Sequence, residues 1–188
     1  VANYNSNNVT VIDGTNDTRL TNNTVEDSLP AWSPRGDKIA YSSRSVDPSA
    51  DVHVMNPDGT GSVDITNNIG VEDSWPAWSP DGSMIAFHSR RDDALGEEIY
   101  RMNADGTNVV RLTTNIVAGD ATKSFDVFPA WSPDGSRITW TSGRDPAVNF
   151  GEVWVMNASD GGNIVRISSD AAFEQRCDWQ PVCIIYGA

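Results

Sequence analysis

The stretch WSPDGSMIAFHSR, Trp78 to Arg90, decides the fold because the chain writes it again. WSPRGDKIAYSSR begins at Trp32 and WSPDGSRITWTSGR at Trp131. In "SPDG" and "SPRG" the proline suits the second position of a type I turn and the glycine the left-handed position that follows. Each turn therefore joins two strands. A second set of turn signals lies downstream: NPDGTG from Asn56, NADGTN from Asn103 and NASDGGN from Asn157, again with glycine where a hairpin needs it. Between the turns lie short apolar runs such as PAW, MIAF, EIYRM and VVRL. They are too short for helices and rich in β-branched and aromatic residues, so each copy reads as four strands.

Copies span about 30–68, 76–115 and 129–169, each the length of one propeller blade. The opening VTVIDGTNDTRLTNN matches the second half of a copy, and the closing CDWQPVCIIYGA matches the first half, around Trp179. The expectation is an all-β propeller of four blades of four antiparallel strands. Its fourth blade is split between 177–188 and 9–23, and residues 1–188 form a single domain. Closure of this kind would remove the exposed edge that invites pairing with another molecule.

Composition limits the function. A net charge of −13 argues against nucleic acid, whose phosphates require clustered Lys and Arg. No apolar run approaches the length of a membrane span. The polar start, VANYNSNN, suits a mature exported protein.

Candidate residues follow from the repeat. Five residues before each motif tryptophan stands an acid: Asp27, Asp73, Asp126 and Glu174, with Glu26 and Glu72 preceding two of them. Carboxylates set around one axis repel one another unless a cation or donor compensates. Two readings stay open: an oxygen-only site for Ca²⁺ or Mg²⁺, or carboxylates that accept backbone N–H bonds or pair from blade to blade with the arginine of a neighbouring "SxR" (Arg44, Arg90, Arg144). Trp32, Trp78, Trp131 and Trp179 read as inter-blade packing. Trp75 is the aromatic best placed to stack on a sugar ring, although Leu29 and Phe128 at its equivalents favour packing. The two histidines, His53 and His88, fall on strands and read as packed residues, and no nucleophile-elbow pattern occurs. Cys177 and Cys183 read as a short disulfide in the closing blade, if the chain is exported. Sequons begin at Asn8, Asn16, Asn22 and Asn157, marking acceptors for glycosylation.

The pattern WSPDGSxIAFxSRxD…EIYxMNADGTNxxRLTxN resembles the TolB-type (WD40-like, tricorn-like) β-propeller repeat, and "DWQPV" resembles a terminal repeat of such proteins. The resemblance covers about residues 9–186. It implies a propeller and an exported or cell-envelope location. With no catalytic constellation, the chain reads as a non-catalytic module for a protein or glycan partner. The alternative is a structural subunit that assembles with copies of itself through the terminal half-blades.

Overall fold

A computed structural model describes residues 8–12, 17–44, 48–92, 96–114, 125–145, 151–168 and 179. Every regular element in it is a strand. A two-stranded half-blade, β1 (Thr10–Ile12) and β2 (Asp17–Arg19), comes first. Three antiparallel four-stranded sheets follow. Blade 1 runs β3 (Asp27–Trp32), β4 (Ile39–Ser43), β5 (Asp51–Met55) and β6 (Val63–Asp64). Blade 2 runs β7 (Asp73–Trp78), β8 (Met84–Ser89), β9 (Glu98–Asn103) and β10 (Val110–Arg111). Blade 3 runs β11 (Asp126–Trp131), β12 (Arg137–Ser142), β13 (Glu152–Asn157) and β14 (Val165–Arg166). The expected final strands, in 177–188, lie outside the described residues apart from Trp179.

The first strand of each sheet is innermost, since β3 meets β7 and β7 meets β11. Side chains explain how the blades stack. Strand residues alternate faces, and the second strands read Ile39-Ala40-Tyr41, Ile85-Ala86-Phe87 and Ile138-Thr139-Trp140. The large residues face the preceding blade and the small one faces the following blade. Ile39 and Tyr41 pack with Val9 and Leu20 of the half-blade. Ile85 and Phe87 pack with Ala40 and Val52 of blade 1. Ile138 and Trp140 pack with Ala86 and Ile99 of blade 2. Full burial of a side chain such as Phe87 is worth roughly 2–3 kcal/mol, so these seams hold the stack together.

Antiparallel pairing divides each blade into two ends. The Ser-Pro-x-Gly and Asp-Gly turns lie together at one of them. There, Gly82 N–H donates to Ser79 O at 2.9 Å, while Asp81 Oδ1 accepts from Ser79 Oγ at 2.7 Å and from Ser83 N–H at 3.0 Å. These hydrogen bonds, Ser79 foremost, pull the Asp81 carboxyl down to about 2. Blade 1 has Arg35 at that position and Asp37 where Ser83 stands, and Ser33 Oγ donates to Asp37 Oδ1 at 2.7 Å. The opposite end carries the loops whose sequences differ from blade to blade.

Candidate functional site at the loop end

Every innermost strand is bulged at one position. Register shifts fall between Ser28 and Ala31, Ser74 and Ala77, and Val127 and Ala130. The bulged residues Leu29, Trp75 and Phe128 have φ of 56°, 62° and 59°. Left-handed backbone costs a side-chain-bearing residue about 1–2 kcal/mol. A bulge re-aims a side chain, and these three point into one cavity of about 530 Å³ at the loop end. The Trp75 and Phe128 rings lie 4.3 Å apart between centroids at 58°, and His88 lies 6.1 Å from each. Glu26, Glu72, Glu97 and Arg44 line the polar side of the same cavity. Arg44 Nε contacts Glu26 at 3.2 Å and Arg44 Nη2 contacts Glu72 at 3.5 Å, so charge is partly balanced there.

His88 is 6% exposed, and burial first, with Arg90 adding to it, pushes its pKa down to about 3. It is a neutral imidazole at physiological pH. Its Nδ1 is buried and has no hydrogen-bond partner among the described residues. A base with so low a pKa is poorly matched to proton abstraction near neutrality.

Asp27, Asp73 and Asp126 start the innermost strands and are fully buried. Arg91 Nη2 reaches Asp73 Oδ2 at 2.7 Å, and Arg144 Nη2 reaches Asp126 Oδ2 at 2.5 Å. Burial pushes the Asp73 carboxyl up, against the lowering pull of Ser89 and Arg91. These pairs correct the sequence reading in two ways. They lie within a blade and do not bridge blades, and the residue on Asp73 is Arg91. Its neighbour Arg90 pairs with Glu97 at 2.6 Å. The motif of blade 3 spaces its arginine one residue further on, as Ser-Gly-Arg, so Arg144 matches Arg91. Each latch arginine is also held by rings of its own blade: Arg91 Cζ lies 5.0 Å from Phe87 and 5.1 Å from Tyr100. Arg144 Cζ lies 5.0 Å from Trp140 and 5.2 Å from Trp154. In blade 1 the matching position is Ser45, and Asn23 Nδ2 donates to Asp27 Oδ2 at 2.6 Å. Among the described residues no three His, Cys, Asp or Glu side chains come close enough to share a metal ion. Glu174 lies outside the described residues.

A second row of buried acids escaped the sequence reading. Asp51, Glu98 and Glu152 open the third strands, each at most 2% exposed. Thr113 Oγ1 donates to Glu98 Oε2 at 2.6 Å, and Thr66 Oγ1 donates to Asp51 Oδ1 at 3.0 Å. Arg111 and Arg166 pair with Glu98 and Glu152 at 3.0 Å. Their signal was the acid that opens DVHVM, EIYRM and EVWVM. Together the two rows fix the loop end of each sheet.

Of the motif tryptophans, Trp78 Nε1 donates to Ala31 O and Trp131 Nε1 to Ala77 O, both at 3.1 Å and both across a seam. Trp32 is 37% exposed. Trp179 is half-buried. Asn8 and Asn157 are half-buried and Asn22 is exposed, while Asn16, Cys177 and Cys183 fall outside the described residues.

The model of the TolB beta propeller domain family matches residues 5–124. The chain belongs to the TolB β-propeller domain family. Among solved structures it is similar to a protein assigned as TolB from Agrobacterium tumefaciens, at 27% identity and a TM-score of 0.69, with 85% of this chain and 55% of that one covered. TolB from Acinetobacter baumannii matches at 22% identity and a TM-score of 0.71, over 91% of this chain and 39% of that one. The chain thus spans about half the length, or less, of these TolB structures. An oligogalacturonate lyase from Vibrio parahaemolyticus shares the fold at 17% identity and a TM-score of 0.58, over 85% of this chain and 42% of that one. No curated protein matches the sequence significantly. TolB-type propellers are in general interaction modules, and an enzyme among the structural neighbours means that fold alone does not decide the function.

Proposed function

We propose that the chain is a non-catalytic, exported interaction module whose loop-end cavity takes an apolar or aromatic group of a protein or glycan partner. One observation carries this reading: three separate bulges aim Leu29, Trp75 and Phe128 into the same cavity. A backbone cost repeated in three blades is compensated elsewhere in the fold, and such outliers gather at ligand sites. Aromatic faces beside carboxylates and an arginine suit a ring or aliphatic chain that bears hydrogen-bonding groups. A neutral, buried His88 favours binding over proton transfer. Export rests on the resemblance to TolB-type proteins.

Of the two partner classes, a protein segment fits better. The cavity rim is made of loops from different blades, which present several contacts at once. The test is a peptide-display selection and a glycan array run on immobilised wild-type chain, with Trp75→Ala and Phe128→Ala in parallel. Binders lost with both variants support the reading. Binders indifferent to both would move the site elsewhere on the surface.

A further inference from the structure

The chain holds its own cations in one repeated way. Arg91 sits over the rings of Phe87 and Tyr100 with a guanidinium nitrogen on Asp73, and Arg144 sits over Trp140 and Trp154 with one on Asp126. The face of an aromatic ring is negative, so rings reinforce a carboxylate in attracting a cation. The walls of the loop-end cavity carry the same materials: the rings of Trp75 and Phe128 together with Glu72 and Glu97.

Charge and hydrogen bonding both leave room for one more cation. Glu26, Glu72 and Glu97 face Arg44 and Arg90, so these five side chains carry one negative charge in excess. Arg44 divides itself between Glu26 and Glu72, and its contacts with Glu72 are 3.5 Å long. The Glu72 and Glu97 side chains are only 27% and 20% exposed, so salt screens them weakly. A second observation is independent of charge. His88 is 6% exposed and lines the cavity, and its Nδ1 meets no hydrogen-bond partner among the described residues. Leaving a buried polar atom unpaired is costly, and a neutral imidazole carries one acceptor nitrogen. Burial, with Arg90 adding to it, keeps His88 neutral down to about 3, so the ring adds no positive charge to repel a cation.

We propose that the cavity takes a lysine side chain of a partner protein segment, its aliphatic stem against Leu29, Trp75 and Phe128 and its ammonium among Glu72, Glu97 and His88. This rests on the reading of the cavity as the recognition site. Lysine suits the cavity better than arginine does. An ammonium is a compact charge whose three donors rotate, whereas a guanidinium presents a fixed planar fork. The acceptors here stand on separate elements: Glu72 precedes β7, His88 lies in β8 and Glu97 precedes β9. A net charge of −13 also draws a basic segment towards the chain.

The probes are n-butylammonium, which reproduces the lysine side chain, and n-butanol, which has the same stem without the charge. Each is titrated into the isotope-labelled chain at constant ionic strength. NMR follows the indole N–H signal of Trp75, assigned with Trp75→Phe. The ammonium should shift this signal saturably and bind about tenfold more tightly than the alcohol, or better. Glu72→Gln combined with Glu97→Gln should remove that preference. Arg44→Gln, which releases Glu26 and Glu72 from their resident cation, should strengthen it. His88→Leu should weaken the ammonium and leave the alcohol unchanged. The peptide acetyl-Gly-Gly-Lys-Gly-Gly-amide should displace n-butylammonium, and its norleucine counterpart should not. Equal binding of the two probes by the wild-type chain, a comparison that needs no variant to fold, overturns the proposal and leaves an apolar recognition site standing. If neither probe moves the Trp75 signal, the reading of the cavity as a recognition site falls with it.

Discussion

The two ends of each blade obey different rules. At the turn end the three blades are near copies: the same Ser-Pro-x-Gly turn, the same Asp-Gly turn and, in each first turn, a serine hydroxyl that donates to a nearby acid. At the loop end they diverge, and several of the positions that diverge line the cavity. Ser42, His88 and Thr141 occupy one register, paired with Ser28, Ser74 and Val127. Leu29, Trp75 and Phe128 occupy another. The turn end must repeat because its glycines seat one blade on the next. The loop end is released from that duty by the buried acid rows beneath it, which hold the sheets whatever the loops carry.

The largest expected effect lies in those rows. Breaking a buried charge pair by removing one partner costs about 3–5 kcal/mol. Arg144→Met, which takes the arginine from the buried Asp126, should therefore lower urea-unfolding stability by about 3 kcal/mol. In blade 1 the corresponding change, Asn23→Ala, breaks a single hydrogen bond to Asp27 and should cost about 1–2 kcal/mol. Equal losses would mean that the latch is not what distinguishes the blades.

Gly161 and Gly36 sharpen the contrast because both have φ of 70°. Alanine at Gly36 meets nothing within 4 Å and bears only the left-handed backbone cost of about 1–2 kcal/mol. Alanine at Gly161 must also push Leu112 O away from 2.2 Å, so it should cost at least about 2 kcal/mol more. Chemical denaturation of the two variants reads the difference, and equal costs would remove the seam contact from the account.

His88 gives an effect that depends on pH. The folded state keeps it neutral down to about 3, whereas the unfolded chain takes up a proton below 6.5. Its contribution to stability is complete above pH 6.5 and is lost as pH falls from 6.5 towards 3. The slope across that window is about 1.4 kcal/mol per pH unit. In His88→Thr, which borrows the residue of blade 3, the difference between wild type and variant should vary with pH only below pH 6.5, on top of a packing offset common to all pH values. A difference that does not vary with pH would contradict the burial assigned to His88.

Much of this was legible in the letters. Repeated turns and short β-branched runs specify the blade, and the motif tryptophans mark the seams. The bulge was not legible: "LPAW", "WPAW" and "FPAW" look like plain strand, because a left-handed residue before proline runs against local preference. Trp75 accordingly reads as packing in sequence and lines the cavity in the structure. The latch was misplaced by one residue, since "SRR" offers two arginines and only the surrounding rings of Phe87 and Tyr100 select Arg91. The acids of the third strands were hidden by their exposed-looking chemistry, although the hydroxyls that donate to them, and the arginines that pair with Glu98 and Glu152, stand on or just beyond the adjacent outer strand.

The smallest effect on stability is expected at the cavity, and there the account is most directly tested. A Trp75→Ala, Phe128→Ala double variant should melt cooperatively within a few degrees of wild type, since both rings are half-buried at a loop end. It should also lose every peptide or glycan that the wild-type chain selects. Unchanged binding by this variant, or collapse of the fold, would show that the three bulges serve packing and that the recognition surface lies elsewhere.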